Sequence, residues 1–289
     1  MRSREGVPLV PVLRFEGRQR RPWNGFSIGY GTWNNGVNTL GNFGAGGTLT
    51  SIFRDLYTGV RFGMLAGYNY SRLNLEVPAH RVSDDNFTTG HYFRVENDDY
   101  YWLTASSYGF DSYSGRRNIA FGTINRTATS SYGGWQTTQY TEFGMKEVGW
   151  PMDIEPFFGM QYVYIRQDGF TETGADSLNM SVNSINVDSF RQLLGARFAY
   201  GLGSFRPEAR AIWLYDYLGT TNVMTSTFTG AGGAGFQTQG VDLGRNWSVL
   251  GGGVTWSCTD RLSFAVNYDA MITDNSTFHM GSGSVQLYW

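Results

Sequence analysis

The residues able to do chemistry are few, and most of them fail on spacing. A serine hydrolase needs an imidazole beside the hydroxyl and a third group to orient it, and the chain has only three histidines, His80, His91 and His279. His80 and His91 lie at or beside a stretch that reads as loop, and none of the three stands in a nucleophile motif. No catalytic site is expected, and the protein is not expected to be an enzyme. The runs Asp84-Asp85-Asn86 and Asn97-Asp98-Asp99 lack the spaced ligands and the glycine of a calcium loop and read as solvated turns. No metal and no cofactor is expected. Cys258, the single cysteine, cannot form an intramolecular disulfide and reads as inert. Asn34-Asn35 stands before a glycine, in a turn-like context, and is placed in the first outer loop.

What remains is charge sorted by parity. In one stretch Pro207, Ala209, Ala211, Trp213, Tyr215 and Tyr217 alternate with Arg206, Glu208, Arg210 and Asp216, the period-two signature of a strand with one apolar and one charged face. The same sorting sets Val60, Phe62, Met64, Ala66 and Tyr68 against Arg61, and Leu194, Ala196, Phe198 and Tyr200 against Arg191 and Arg197. It also sets Leu262, Phe264, Val266, Tyr268 and Ile272 against Asp269. With the charged faces turned inward, the expected lumen-lining residues are Arg61, Glu142, Glu155, Arg191, Arg197, Arg206, Glu208, Arg210 and Asp269. Two readings stay open: the charges merely pair and solvate the interior, or they line a conduit for an extended peptide.

The elements that would hold such a lumen follow from the rest of the chain. Of 289 residues, 16% are charged, 16% aromatic and 39 are Gly, with a formal net charge of -2. That balance offers no basic surplus for nucleic acid. No run approaches the roughly 20 apolar residues of a transmembrane helix, but alternating strands escape such a count. Alternation persists from Trp23 to the end, over twelve expected strands. Short connections are expected at Ser51 to Leu56, Glu96 to Asp99, Glu147 to Asp153, Gly201 to Ser204 and Ser257 to Asp260. The intervening ones, including Asn74 to Asn86, Ser114 to Ser130, Asp168 to Asn186 and Gly219 to Gly240, read as mostly longer.

Short turns on one side, long loops on the other and an even strand number imply an all-β, twelve-stranded antiparallel transmembrane β-barrel of the bacterial outer membrane. Its lumen is then expected to be polar and mixed in sign. Aromatic strand ends (Trp23, Trp33, Tyr57, Trp102, Tyr200, Tyr217, Trp256, Tyr288, Trp289) would form the interface girdles. Glycines on one face near Gly25 to Gly31 and Gly44 to Gly46 suit a close-packed lumen or a strongly curved sheet. Residues 1–22, with six arginines and Pro8 and Pro11 breaking the apolar piece, read as a linker ahead of a barrel at 23–289.

The run Arg166-Gln-Asp-Gly-Phe-Thr-Glu-Thr-Gly-Ala175, with Leu178, Ser189, Arg191, Leu194, Gly195, Ala196 and Arg197 after it, resembles the signature of autotransporter β-domains, the translocator barrels of type V secretion. The opening Trp23 to Trp33 resembles the family's first strand, and Val285, Leu287 and Trp289 resemble its terminal assembly signal, with Ser284 where the family often has Gly. The resemblance implies a barrel inserted into outer-membrane lipid by the barrel-assembly machinery. It also implies transport of an N-terminal passenger polypeptide in cis, which is not present in this chain, and no enzymatic activity. A small passive porin and a surface-exposed β-rich adhesin are the alternative readings.

Overall fold

Alternating sequence becomes strand almost everywhere. A computed structural model describes residues 24–35, 41–75, 80–146, 152–218, 222–230, 232–240 and 242–288. The expected linker 1–22, Trp23, Trp289 and the turn at 147–151 lie outside the described residues. In chain order the strands are β1 (Asn24–Asn35), β2 (Gly41–Tyr57), β3 (Val60–Leu75), β4 (His80–Glu96), β5 (Tyr100–Phe121), β6 (Ile124–Met145), β7 (Asp153–Gln167) and β8 (Phe170–Thr171). There follow β9 (Met180–Val182), β10 (Ile185–Ala199), β11 (Phe205–Asp216), β12 (Val223–Phe228), β13 (Gly235–Gln239), β14 (Asn246–Thr259), β15 (Leu262–Thr273) and β16 (Thr277–Tyr288), with one 3-10 turn at Asp176–Leu178.

Twelve of these close into one antiparallel barrel in the order β1-β16-β15-β14-β11-β10-β7-β6-β5-β4-β3-β2. β1 pairs with β16 from Asn24↔Tyr288 to Trp33↔His279. The last strand thus removes the open edge of the first, which hydrocarbon requires because an unpaired N–H or C=O has no water to turn to. Outward faces are apolar: Phe62, Met64, Phe158, Met160, Leu194, Trp213, Leu250, Val266 and Ile272 are all exposed. At the short-turn end Tyr100 stacks on Phe143 at 5.9 Å and Trp256 on Phe205 at 6.0 Å, with Trp102 and Tyr57 exposed beside them, an aromatic girdle of the kind expected.

Several connections expected as loop or turn are strand. Ser51 to Leu56 belongs to β2, and the turn is Thr58-Gly59, with Gly59 at φ 75°. His80 to Asn86 belongs to β4, most of 114–130 extends β5 and β6 around Gly122 at φ 56°, and Ser257 belongs to β14. Asn34 and Asn35 end β1 instead of sitting in a loop. The reason is common to the outer stretches. β5 and β6 run 22 residues each, about twice the roughly 10 that a tilted strand needs to cross a bilayer. Beyond the bilayer both faces are wet, so the apolar stripe that marks a strand disappears. The far end is therefore long through strand extension and two excursions, not through six long loops.

Those excursions, between β7 and β10 and between β11 and β14, form a second sheet in the order β13-β12-β9-β8. The Arg166 to Ala175 run ties it to the β5–β6 extension. Phe170 stacks on Tyr132 at 4.1 Å, Thr173 and Thr129 exchange backbone hydrogen bonds of 2.8 and 2.9 Å, and Arg117 donates to Glu172. Ala175 is fully buried against Ile119 and Ala128 while its carbonyl accepts from Arg126 at 3.0 Å. Gly174 takes φ 95°, which places the run within reach of the Thr127 carbonyl.

Glycines divide into two kinds, and of the two readings of the glycine face of β1 and β2, a close-packed lumen or a strongly curved sheet, the first does not hold. There Phe26, Ile28 and Phe43 are buried inside, while Gly29, Gly31, Gly44 and Gly46 share the outward parity. A Cβ on Gly29 would meet nothing within 4 Å. Elsewhere glycine lets an inward aromatic ring lie on the sheet: a Cβ on Gly63 would stand 2.2 Å from the Tyr92 ring, and one on Gly144 2.5 Å from Tyr101. Gly144→Ala is expected to cost about 1–3 kcal/mol by overpacking, and Gly29→Ala less than about 0.5 kcal/mol. Urea titration of vesicle-inserted protein, read by heat-modifiable migration, measures both.

Candidate functional site

All nine expected lumen residues lie on inward faces. Arg61 stands on β3; Glu142 on β6; Glu155 on β7; Arg191 and Arg197 on β10; Arg206, Glu208 and Arg210 on β11; and Asp269 on β15. Most of them alternate with outward, more exposed neighbours. The structure brings most of them into pairs. Arg197 lies opposite Glu155 in the ladder, yet its guanidinium crosses the Phe157 ring at 4.0 Å and grips Glu142 through two bonds of 2.7 and 2.8 Å. The Tyr101 hydroxyl donates to Glu142 at 2.6 Å, and the Tyr140 hydroxyl donates to its other oxygen. Glu142 is 2% exposed. A carboxylate so desolvated is held only by this many donors in good geometry.

Arg210 and Asp269 sit on either side of Gly251 in the register. A Cβ there would stand 2.0 Å from Asp269 Oδ1, so the missing side chain makes room for the pair, whose Nε–Oδ1 distance is 2.5 Å. Arg61 donates to Asp55 at 2.6 Å with its guanidinium over Phe53, and Arg206 donates to Asp153 at 2.5 Å. Arg191 stands 3.4 Å from Asp216 and over Trp247, and Ser189 donates to Asp216 at 2.7 Å.

Sequence reasoning missed two of these five carboxylate partners. Asp55 and Asp153 fell in stretches read as turns, and so did Glu96, which pairs with Arg94 at 2.8 Å. Parity signalled Asp216 within the charged face of β11, and nothing signalled the tyrosines around Glu142.

The lumen is mixed in sign, as expected, but it is not polar throughout. Inside lies an apolar cluster that includes Phe26, Phe43, Phe53, Tyr92, Phe157, Leu193, Trp247 and Phe278. Among the described residues, the inner faces of β16, β1 and β2 carry a single charge, Asp55. Inward charges stand instead on β3 to β7, β10, β11 and β15. A cavity of about 140 Å³ along β1 to β6 is lined by Phe43, Ala45, Leu65, Asn69, Ala105 and Tyr140, among others.

The histidines are dispersed. His91 and His279 face outward, His91 against Phe62 and His279 hydrogen-bonded to the Tyr268 hydroxyl at 2.6 Å. His80 faces inward on the outer extension, opposite Arg117 in the ladder, with Nε2 buried. Burial, with the Arg117 cation beside it, pushes its imidazole down to about 4. An imidazole kept neutral when folded takes up its proton more readily when the extension opens. The extension therefore keeps full stability above the usual value near 6.5, loses it as pH falls from there towards 4, and loses no more below. Hydrogen-exchange protection factors in β4 and β5, which take out the intrinsic pH dependence of exchange, are expected to fall between pH 7 and 5, and His80→Gln to flatten that fall.

Of the resembled assembly signal, Val285 and Leu287 project outward, across from Phe264 and Leu262 of β15. The family model for the autotransporter beta-domain matches residues 24–269. The chain belongs to the autotransporter β-domain family. It is a twelve-stranded outer-membrane barrel of the family that forms type V secretion translocator domains.

Among solved structures, the translocator domain of the autotransporter NalP from Neisseria meningitidis superposes with a TM-score of 0.76 at 17% identity, covering 94% of this chain and 90% of that one. The beta domain of the Bordetella autotransporter BrkA gives 0.65 at 16% identity, covering 93% and 100%. The putative surface-exposed virulence protein BigA of Salmonella typhimurium is 24% identical over 220 residues, which is 71% of this chain and 11% of that protein. The chain thus spans about a tenth of the length of the curated relative it matches.

Proposed function

We propose that this barrel carries a passenger polypeptide, joined in cis ahead of β1, across the outer membrane to the cell surface. The observation that carries the reading is the two-sided lumen of an autotransporter-family barrel. A wall of arginine–carboxylate pairs faces a wall of apolar and hydroxyl side chains, so an extended chain of varied sequence meets a partner for both its polar and its apolar residues. The charges are paired with one another, so the lumen binds no single charge type tightly, as a conduit requires. The barrel does no chemistry of its own and is not an enzyme. Its partners are outer-membrane lipid and the barrel-assembly machinery, which reads Val285, Leu287 and Trp289.

A reporter peptide fused ahead of residue 1, downstream of a secretion signal, tests this in a bacterial host. The expected result is cleavage of the reporter by protease added to intact cells. A reporter that stays protected while the barrel is folded and heat-modifiable would refute the reading.

A further inference from the structure

On the outer surface of the barrel, near its far end, Arg81 of β4 lies directly opposite Arg116 of β5. Like charges facing each other across a ladder, with Cβ atoms about 5 Å apart, repel and destabilise the pair. Arg72 joins them from β3, one strand over and opposite Ser83. Among the described residues, Arg61, Arg94, Arg117, Arg126, Arg166, Arg191, Arg197, Arg206 and Arg210 all have carboxylate partners. None of these three does. Arg81 donates to the Asn74 amide oxygen at 3.1 Å, and the buried Nε of Arg72 has no hydrogen-bond partner.

The surrounding outward positions, Asn74, Ser83, Ser114 and Thr129, are uncharged hydrogen-bonding groups. Among the described residues, the nearest acid on this face, Asp85, accepts from the Tyr68 hydroxyl. Counting outward from Phe62, roughly 10 residues of a tilted strand cover the apolar band of about 25 Å. That puts Arg72 at its outer rim and Arg81 and Arg116 in the headgroup layer. The outward aromatics Tyr68, Tyr70, Phe87 and Phe110 lie on the same strands, on the membrane side of the cluster.

We propose that Arg72, Arg81 and Arg116 form a binding site for the phosphate of an outer-leaflet lipid headgroup. A phosphate with three acceptor oxygens satisfies the guanidiniums in the charge-assisted, forked geometry that arginine favours, and it turns the Arg81–Arg116 repulsion into a shared attraction. The aromatics below give the acyl chains of that lipid a surface to lie on. The site stands in the wet headgroup layer just beyond the outward aromatics, at the level of the lipid phosphates, which is why the phosphate is assigned to a headgroup and not to a free anion. The inference stands on the outer-membrane setting and is independent of passenger transport.

The test uses the full chain folded in zwitterionic detergent and offered bisphosphorylated lipid A, dephosphorylated lipid A or inorganic phosphate, with retained lipid counted by native mass spectrometry. Retention of the phosphorylated lipid is expected, weakened by about tenfold or more in Arg72→Gln/Arg81→Gln/Arg116→Gln. Equal retention by that variant, or equal retention of dephosphorylated lipid A, overturns the proposal, as does displacement by equimolar inorganic phosphate.

If the triple variant does not fold, Arg116→Gln alone serves, since that side chain is exposed. Its urea midpoint is expected to stay level or rise in zwitterionic detergent, where repulsion is relieved, and to fall relative to wild type when lipid A is present. A fall of equal size in both media means a merely structural arginine and overturns the assignment.

Discussion

Arg197→Met is expected to lower the stability of the folded barrel by about 3–5 kcal/mol, the range for stranding one member of a buried ion pair. The removed cation leaves the Glu142 carboxylate, 2% exposed, with only the Tyr101 and Tyr140 hydroxyls as donors. Arg197 also donates to the Tyr101 hydroxyl at 2.7 Å and covers the Phe157 ring, so part of the loss is packing.

Glu142→Leu/Arg197→Met is expected to recover most of the loss, because the desolvation of both charges disappears together. Urea midpoints of the two single variants and the double, taken in vesicles, give the coupling energy. A coupling within about 0.5 kcal/mol of zero would mean that the two residues act independently and that the lumen pairs are incidental. If the coupling is large, the pairs hold β6 to β10 across β7 and keep the charged wall in place while anything polar passes.

How much of this was legible in the sequence depended on where in the membrane a residue sits. Within the bilayer, lipid on one side and the lumen on the other impose a strict parity, so β7, β10, β11 and β15 could be read with the inward direction of Glu155, Arg191, Arg197, Arg206, Glu208, Arg210 and Asp269. Asp55, at the short-turn end, and the Ser- and Thr-rich outer halves of β5 and β6 lie where water reaches both faces. Parity carries no hydrophobic signal there, and strand reads as loop. The walls of the lumen were legible only in part. An inward phenylalanine such as Phe26 or Phe43 looks like a lipid-facing one until its neighbours are known, and the seam glycines Gly29, Gly31, Gly281 and Gly283 reversed the apparent polarity of β1.

The motif that carried the family resemblance has a physical reading that sequence alone could not supply. Phe170, Glu172, Thr173 and Ala175 each touch the β5–β6 extension, so the run is a clasp holding the second sheet against the barrel. His80 opposes Arg117, whose guanidinium donates to Glu172. The pH dependence expected of His80 therefore acts on the same joint.

The inside–outside assignment itself is tested most sharply on β15. Val266, 64% exposed and outward, lies between Val254 of β14 and Gly283 of β16 near the middle of the apolar band. Val266→Arg is expected to cost about 2–4 kcal/mol, the penalty for a guanidinium at the lipid midplane of a barrel. Its neighbour Ala265 has the opposite parity and faces the lumen across from Thr255 and Ser284. Ala265→Arg keeps its charge among polar groups and water and is expected to cost less than about 1 kcal/mol. Urea titration of both variants in vesicles decides the matter, because the substitution is the same and only the face differs. Equal losses would mean that β15 does not separate lipid from lumen at this depth, and a larger loss for Ala265→Arg would reverse the two faces.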